Sequence, residues 1–202
     1  KIAESNLDEF ISNLFFDLGM PDDQILLKDI ENIRTKLLEN RHNDEDEFAW
    51  YDMAVGQRST KLSYMLRRLI ENKSSPEKIF RFILASEIHF SELMEEERIA
   101  VHSNHGLFQM AGLLSLCHNL PWMKRSVEGI DFSEEIFQKM LSEHFAADGL
   151  HLEHSPDYHL FMVNHLQSLN DSGWLSKNVS STSKVIDSIV KSANWMATPN
   201  NN

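Results

Sequence analysis

The sequence predicts an all-α protein, and three observations lead to that prediction. The chain of 202 residues has only 7 Gly and 5 Pro. No run rich in Val, Ile and Thr alternates between apolar and polar positions, so β structure has little support. Apolar residues instead recur with the period of one helix face along most of the chain. Hydrophobic residues make up 42% of the sequence, which is enough to bury a substantial core.

Eight segments carry this helical period. In order, they are residues 7–18, 25–38, about 50–70, 76–88, about 106–119, 133–145, 158–169 and about 184–197. Ser75 before Pro76 is typical of a helix start, and Ser133 before two glutamates is expected to cap the sixth helix. The segment 106–119 is apolar nearly all round, which predicts a helix buried among others. Trp122 and Trp195 lie close to apolar positions and are expected in the core.

Successive helices with short connectors suit a bundle, a helical solenoid or an (α/α) toroid of antiparallel hairpins. No motif repeats at a spacing of about 34 or about 40 residues, which disfavours the common helical-repeat families. Periodicity alone leaves the choice between these architectures open.

Charge and cysteine content exclude several classes of protein. Lys and Arg number 19 against 31 Asp and Glu, for a net charge of −12, so we expect no nucleic-acid partner. Cys117 is the single cysteine, which rules out an intrachain disulfide and a cysteine-rich zinc site. No apolar run is long enough for a membrane span, and residues 1–18 lack the pattern of a signal peptide. The first residue is Lys and not Met, so we expect a processed or excised chain.

Two short polar segments interrupt the helical pattern, residues 102–106 (HSNHG) and 148–159 (DGLHLEHSPDYH). Seven of the ten histidines lie in or beside them: His102, His105, His144, His151, His154, His159 and His165. Imidazole, carboxylate and phenol groups crowded at helix starts are typical of a functional site, so we expect the chemistry here.

The residues of the second segment leave alternatives open. His151, His154 and His159 with Glu153 are ligands that zinc accepts, but their spacing does not match the helical HExxH motif, and we expect no metal or other cofactor. A serine hydrolase is disfavoured because no Gly-x-Ser-x-Gly elbow is present. A paired-carboxylate glycosidase stays possible, with its acids at positions 148, 153 and 157.

The two segments together resemble one family. Residues 104–109 (NHGLFQ), followed by an apolar helix, and residues 145–159, with the pattern FxxDGxHxEHSPxYH, are similar to the heparinase II/III and alginate-lyase superfamily of polysaccharide lyases. Residues 50–54 (WYDMA) with Arg58 resemble the helix that precedes these motifs in that family. The resemblance covers about residues 48–169.

This resemblance implies an incomplete (α/α) toroid, here the single domain of residues 1–202, and a C-terminal β-sandwich domain that contributes a further catalytic His or Tyr. Since no sandwich is present in the sequence, we expect a chain truncated at its C-terminal end. The implied activity is cleavage of a uronic-acid-containing polysaccharide by β-elimination, with no cofactor. The implied partners are an acidic polysaccharide or oligosaccharide and the β-sandwich domain, and the implied compartment is the periplasm or the exterior, although the composition also suits the cytoplasm.

The resemblance also implies roles for particular residues. Asn104 and His105 would neutralise the substrate carboxylate, and Tyr158 would act as base, as acid or as both. His154 and His159 would bind substrate and lower the pKa of the tyrosine, and Arg58 would clamp a carboxylate or sulfate.

Each residue also has an ordinary structural interpretation. Asn104 suits an N-cap, Tyr158 suits core packing, and Arg58 could pair with Asp52 or a neighbouring glutamate. Two further functions are compatible with the same scaffold, a glycoside hydrolase and a non-catalytic glycan-binding or assembly module.

Overall fold

Six α-helices make up most of the chain that the structure describes, and they confirm the all-α class. The structure is a computed structural model, and it describes residues 50–123, 125–153, 155–175 and 180–196. The helices are α1 (Asp52–Glu71), α2 (Pro76–Leu93), α3 (Asn104–Asn119), α4 (Ser126–His144), α5 (Pro156–Asp171) and α6 (Ser180–Ala193). A short 3-10 helix, Glu96–Arg98, follows α2, and no strand occurs within the described residues. The helices predicted for residues 7–18 and 25–38 lie outside them.

The chain divides into two compact units, Lys1–Ser133 and Glu134–Asn202. Among the described residues, the first unit holds α1, α2, α3 and the beginning of α4. The second holds the rest of α4, together with α5 and α6. The closure of the helices into a toroid stays a prediction.

In the first unit, α1 and α2 form an antiparallel hairpin, as predicted. Arg58 near the start of α1 donates from Nε to Nε2 of His89 near the end of α2, at 2.9 Å. The connection is short, and Pro76 occupies the first turn of α2 as expected. Ser75 stands at the N-cap position, but its side chain makes no capping hydrogen bond.

The helices α1 and α3, in contrast, run parallel to each other. Ser63 bonds to Ser115 at 2.8 Å between their hydroxyl oxygens. One turn further along both helices, Nη1 of Arg67 donates to Oδ1 of Asn119 at 3.4 Å. Because later residues of α1 meet later residues of α3, both helices begin at the same end of the unit.

Two glycines allow these parallel helices to approach very closely. A Cβ atom at Gly56 would overlap the backbone carbonyl oxygen of Phe108, and a Cβ atom at Gly112 would overlap the carbonyl oxygen of Gly56. The obstacle is backbone in both cases, so no side-chain rotation can relieve it. Ser59 and Ser63 continue the same stripe of α1 and are fully buried. The small residues therefore fix how α1 lies on α3.

The helix α3 is buried on nearly every side, as its apolar sequence predicts. Its buried residues are Gly106, Leu107, Gln109, Met110, Gly112, Leu113, Leu114, Ser115, Leu116 and Cys117. A helix with no polar face needs neighbours all round it. It forms the core of the first unit.

The prediction for the start of α4 was wrong. The helix begins at Ser126, and Ser133 lies in its interior, where its hydroxyl donates to the carbonyl oxygen of Gly129 at 2.7 Å. The helix continues through Gly129, and the absence of a side chain there leaves room for Cys117. A Cβ atom there would lie 2.7 Å from Sγ of Cys117.

In the second unit, α5 and α6 are antiparallel. His159 near the start of α5 bonds from Nε2 to Oγ of Ser192 near the end of α6, at 3.0 Å. Ser155 caps α5 by accepting from the backbone N–H of Tyr158 at 3.4 Å. The structure places α6 about one turn earlier than the sequence predicts.

A compact turn joins α4 to α5 and contacts α6. Gly149 in this turn has a φ of +87°, a conformation that favours glycine. A Cβ atom there would also lie 2.6 Å from the carbonyl oxygen of Ser188. The turn therefore needs glycine for its own conformation and for its contact with α6.

The two tryptophans that were expected in the core differ in burial. Trp122 is buried as predicted, whereas Trp195 is 90% exposed, so that prediction was wrong. Trp195 lies two residues beyond the end of α6 at Ala193.

Replacement of Gly56 by alanine should destabilise the protein. In an ordinary helix this change gains about 1 kcal/mol of helix propensity. Here we expect the free energy of unfolding to fall by about 3 kcal/mol, because the new methyl group meets the backbone of α3. Urea denaturation measures the change. The exposed neighbour Gln57→Ala is the control and should change stability by less than about 0.5 kcal/mol. A Gly56→Ala protein as stable as the wild type would contradict the close approach.

Candidate active site

The first turn of α3 carries the predicted residues Asn104 and His105. The N-cap of this helix is Ser103, whose hydroxyl accepts from the backbone N–H of His105 at 3.2 Å. Asn104 is therefore the first helical residue and not the cap. Its amide is half-buried and makes no hydrogen bond to any of the described residues. No described residue therefore occupies this amide.

The imidazole of His105 is held by the start of α1. A carboxylate oxygen of Asp52 lies 3.0 Å from Nδ1 of His105, and the hydroxyl of Tyr51 lies 3.5 Å from the same nitrogen. The rings of Tyr51 and His105 meet edge to face at 5.5 Å. A carboxylate only accepts, so Nδ1 carries the proton and Nε2 is the nitrogen directed away from this contact.

The parallel packing of α1 and α3 explains this pairing. Asp52 begins α1 and Asn104 begins α3, and the glycine contact one turn later brings the two first turns together. Backbone N–H groups at a helix start have no partner within the helix and carry partial positive charge. Two helix starts on one side of the unit thus favour an anionic group.

A buried glutamine ties the preceding loop to α3. Oε1 of Gln109 accepts from the backbone N–H of Ala100, and Nε2 donates to the carbonyl oxygen of Arg98, both at 2.9 Å. Arg98 in turn donates from Nη1 to the buried Glu92 at 3.1 Å. The side-chain amide of Gln109 therefore holds the loop before Asn104 through two backbone hydrogen bonds.

Arg58 does not pair with Asp52. Its Nε donates to Nε2 of His89 at 2.9 Å, and its guanidinium carbon lies 5.5 Å from the centre of the Trp50 ring. Trp50 and His89 also contact each other, with ring centres 5.2 Å apart. Partial burial lowers the pKa of Arg58, which nevertheless stays a cation.

His89 is a neutral, buried histidine. Its Nδ1 lies 2.7 Å from the carbonyl oxygen of Ala85, so this nitrogen carries the proton and Nε2 accepts from Arg58. Burial lowers the pKa of His89 to about 4, and the positive charge of Arg58 adds to this shift.

In the second unit, the fully buried side chain of His159 links the turn before α5 to α6 by hydrogen bonds. Its Nδ1 accepts from the backbone N–H of His151 at 3.3 Å, and its Nε2 bonds to the hydroxyl of Ser192. Ser192 also donates toward the carbonyl oxygens of Gly149 and Ile189. Burial lowers the pKa of His159. With both ring nitrogens bonded, His159 offers nothing to zinc in this arrangement, and its substrate contact stays a prediction.

Tyr158 lies next to His151 at the start of α5. Their rings meet edge to face at 5.0 Å, and the tyrosine side chain is half-buried. Burial raises the pKa of Tyr158, and the negative charge of Glu153 raises it further. The sequence interpretation needed a lowered pKa. The described residues give the opposite direction, because burial disfavours the charged phenolate and the negative charge of Glu153 disfavours it further.

His151 has one nitrogen without a partner. Its Nδ1 accepts from the backbone N–H of Glu153 at 3.2 Å, and its Nε2 is buried with no hydrogen-bond partner among the described residues. Burial lowers the pKa of His151, and His144 and His159 act in the same direction. The ring also packs against Phe145, with centres 4.8 Å apart.

The carboxylates of this segment do not form a cluster with a metal-binding geometry. Asp148 closes its own turn by accepting from the backbone N–H of Leu150 at 3.1 Å. Asp148, Glu153 and Asp157 are all exposed. Within the described residues, no group of three or more His, Cys, Asp or Glu side chains could hold a metal ion. His154 lies outside those residues, so its predicted role stays a prediction.

The predicted site residues thus fall into two groups. Arg58, Asn104 and His105 belong to the first compact unit, and Tyr158 and His159 belong to the second. Sequence reasoning missed two partners, Asp52 for His105 and His89 for Arg58. A histidine between apolar neighbours in α2 was the available signal for a buried imidazole at position 89.

Comparisons with known proteins give one match. A family model described as Heparinase II/III N-terminus matches residues 25–200. That range contains every predicted site residue. The searches of curated proteins and of solved structures found no match. None of the described helices has the length and apolar character that a membrane crossing requires.

The buried His89 should make stability depend on pH. The unfolded histidine, with a pKa near 6.5, takes up a proton more readily than the folded one, with a pKa of about 4. The stabilisation is therefore complete above pH 6.5 and is lost as the pH falls toward 4, by on the order of 3 kcal/mol. Arg58 is a charged group that contacts the ring, and it does not titrate in this range.

Urea denaturation across this pH range checks the expectation. The His89→Gln protein should lose less stability on acidification than the wild type. The exposed His102→Gln protein is the matched control and should follow the wild type. Equal pH slopes for wild type and His89→Gln would contradict a neutral, buried His89.

Proposed function

The chain belongs to the heparinase II/III family, and on that premise we propose that it is the helical catalytic part of a polysaccharide lyase. Its substrate is a uronic-acid-containing polysaccharide or oligosaccharide, which it cleaves by β-elimination. The reaction removes the proton at C5 of the uronate and breaks the bond between C4 and its oxygen. The electron pair from the C–H bond becomes the new C4–C5 double bond, and the leaving oxygen takes up a proton.

One observation carries this proposal, the arrangement of Asn104 and His105 at the start of α3. No described residue bonds to the amide of Asn104, and Asp52 holds Nδ1 of His105 at 3.0 Å, so that Nε2 faces away from this contact. Removal of the C5 proton requires that the neighbouring carboxylate accept negative charge. The N–H groups of an amide stabilise that charge as it develops, and so does the imidazole of His105 when Nε2 carries a second proton beside the one that Asp52 holds on Nδ1. The positive ends of α1 and α3 act in the same direction.

Tyr158 supplies the proton for the leaving oxygen in this proposal. Burial and Glu153 raise its pKa, so the hydroxyl is protonated at neutral pH and suits the acid role. The C5 proton needs a base of its own. In this proposal the base is the further His or Tyr that the family resemblance assigns to the β-sandwich domain, because the same tyrosine would need a cation beside its phenol to lower its pKa.

Arg58 binds an acidic group of the sugar chain. Its guanidinium lies against Trp50 and is anchored by His89, on the same helix that holds His105 through Asp52. A fixed arginine recognises a carboxylate through paired N–H donors. We also propose, from the family resemblance, that a C-terminal β-sandwich domain completes the site and that the protein is periplasmic or secreted.

Replacement of Tyr158 by phenylalanine should abolish lyase activity in the full-length protein. The change removes the only oxygen of this side chain and keeps its packing against His151. Product formation is followed by the near-ultraviolet absorbance of the unsaturated uronate, and circular dichroism reports the fold. The exposed Tyr64→Phe protein is the matched control and should have wild-type activity.

Other outcomes would identify other functions. Wild-type activity of the Tyr158→Phe protein would contradict the role of the phenol. Cleavage products without a new double bond would indicate a glycoside hydrolase. Oligosaccharide binding that is unaffected by the change, with no turnover of any uronate polymer, would indicate a binding module.

The contact between Asp52 and His105 gives a second test. The Asp52→Ala protein should lose about 100-fold in kcat/KM, because the imidazole is no longer held in the productive orientation. The Asp52→Asn protein keeps an oxygen that can accept from Nδ1 and should lose much less. Initial rates of unsaturated product measure both. An Asp52→Ala protein with the wild-type rate would remove Asp52 from the proposed site.

A further inference from the structure

We infer that His89 is a positioning residue, which holds the guanidinium of Arg58 in the orientation that binds a carboxylate of the sugar chain. The inference rests on the proposed function. It assigns a role to a residue that lies outside both sequence motifs, on a helix that otherwise serves as core.

The hydrogen bonds of His89 fix which nitrogen faces Arg58. A carbonyl oxygen only accepts, so Nδ1, at 2.7 Å from the carbonyl oxygen of Ala85, carries the ring proton. Nε2 then has a lone pair, and Nε of Arg58 donates to it at 2.9 Å. The backbone of α2 thus selects the tautomer that can receive an arginine.

Trp50 adds a second contact to the guanidinium. The Trp50 ring lies 5.5 Å from the guanidinium carbon and packs against His89 at a tilt of 43°. A guanidinium that lies over an aromatic ring and has Nε bonded to an imidazole is held at two points, which restricts its rotation. The terminal nitrogens of such a group bind the two oxygens of a carboxylate side by side.

The choice of a neutral anchor has an electrostatic reason. An aspartate or glutamate at this position would also accept from Nε, but its charge would cancel that of Arg58 and repel the substrate. His89 is 7% exposed, and its burial lowers the pKa to about 4, so it carries no charge at neutral pH. His89 therefore adds no negative charge beside Arg58. A neutral imidazole orients the arginine without opposing its positive charge.

Three substitutions at position 89 separate positioning from ordinary packing. The His89→Gln protein keeps a neutral oxygen that can accept from Nε. The His89→Phe protein keeps a ring but has no acceptor. The His89→Glu protein has an acceptor that is charged. Urea denaturation of each variant at neutral pH confirms that it is folded before binding is measured.

The binding test uses full-length protein and two unsulfated hexasaccharides, one from alginate and one from desulfated heparan. Each is also tested after its carboxyl groups have been reduced to alcohols. For the acidic hexasaccharide that the wild type cleaves, KM should rise about tenfold or more in the Phe and Glu variants, with kcat changed much less. The Gln variant should stay close to the wild type. The reduced hexasaccharides should bind weakly and equally to all four proteins.

A second measurement does not depend on any substrate. Nitrogen-15 NMR of the histidine rings should report a proton on Nδ1 of His89. The Nε proton of Arg58 should exchange slowly with water in the wild type and the Gln variant, and rapidly in the Phe variant.

The outcomes distinguish the two proposals. A proton on Nε2 of His89, or an unchanged KM in the folded Phe variant, overturns the positioning role. An arginine that is fixed as described, in a protein that binds and cleaves neither acidic hexasaccharide, overturns the proposed function and with it the substrate assigned to Arg58.

Discussion

The backbone contact between α1 and α3 at Gly56 and Gly112 determines the geometry of the first unit. Two helices that touch at their backbones have little freedom to slide or rotate against each other. Because they run parallel, the contact sets their first turns side by side. Asp52 then meets His105 and not another residue of α3. A packing constraint between two helix backbones thus decides where a charged side chain lies.

The start of α1 uses two histidines in opposite ways. Asp52 accepts from the protonated Nδ1 of His105, and Arg58 donates to the unprotonated Nε2 of His89. Sequence reasoning considered a direct pair between Asp52 and Arg58, which are close along the chain. Such a pair would have neutralised both charges. Each charged group instead holds an imidazole that belongs to a different helix, so the helix start orients two groups at once.

The sequence predicted the helical class and most helix positions, because amphipathic periodicity is a local property. The buried nature of α3 followed from its composition, and Ser75-Pro76 marked the start of α2 correctly. The start of α4 was missed because Ser133 before two glutamates matches the pattern of a helix cap, whereas its hydroxyl bonds to the carbonyl oxygen of Gly129 inside the helix. The partners of His105 and Arg58 come from helices that are distant in sequence, so no local pattern could identify them. The sequence also could not predict that the pKa of Tyr158 is raised, because this shift depends on burial and on the charged group that lies nearby.

The two parallel helix starts and Arg58 bring positive charge to the beginning of α1 and α3, beside the carboxylate of Asp52, in a chain that is acidic overall. Under the proposed function, an acidic sugar chain would meet repulsion at long range and attraction only near contact. Dissolved salt screens charges beyond about 8 Å at physiological ionic strength, while contacts at hydrogen-bond distance are screened much less. Moderate ionic strength should accordingly favour association with an acidic chain more than very low ionic strength does. Higher concentrations would weaken the contacts themselves, so the proposed association should be strongest at an intermediate salt concentration.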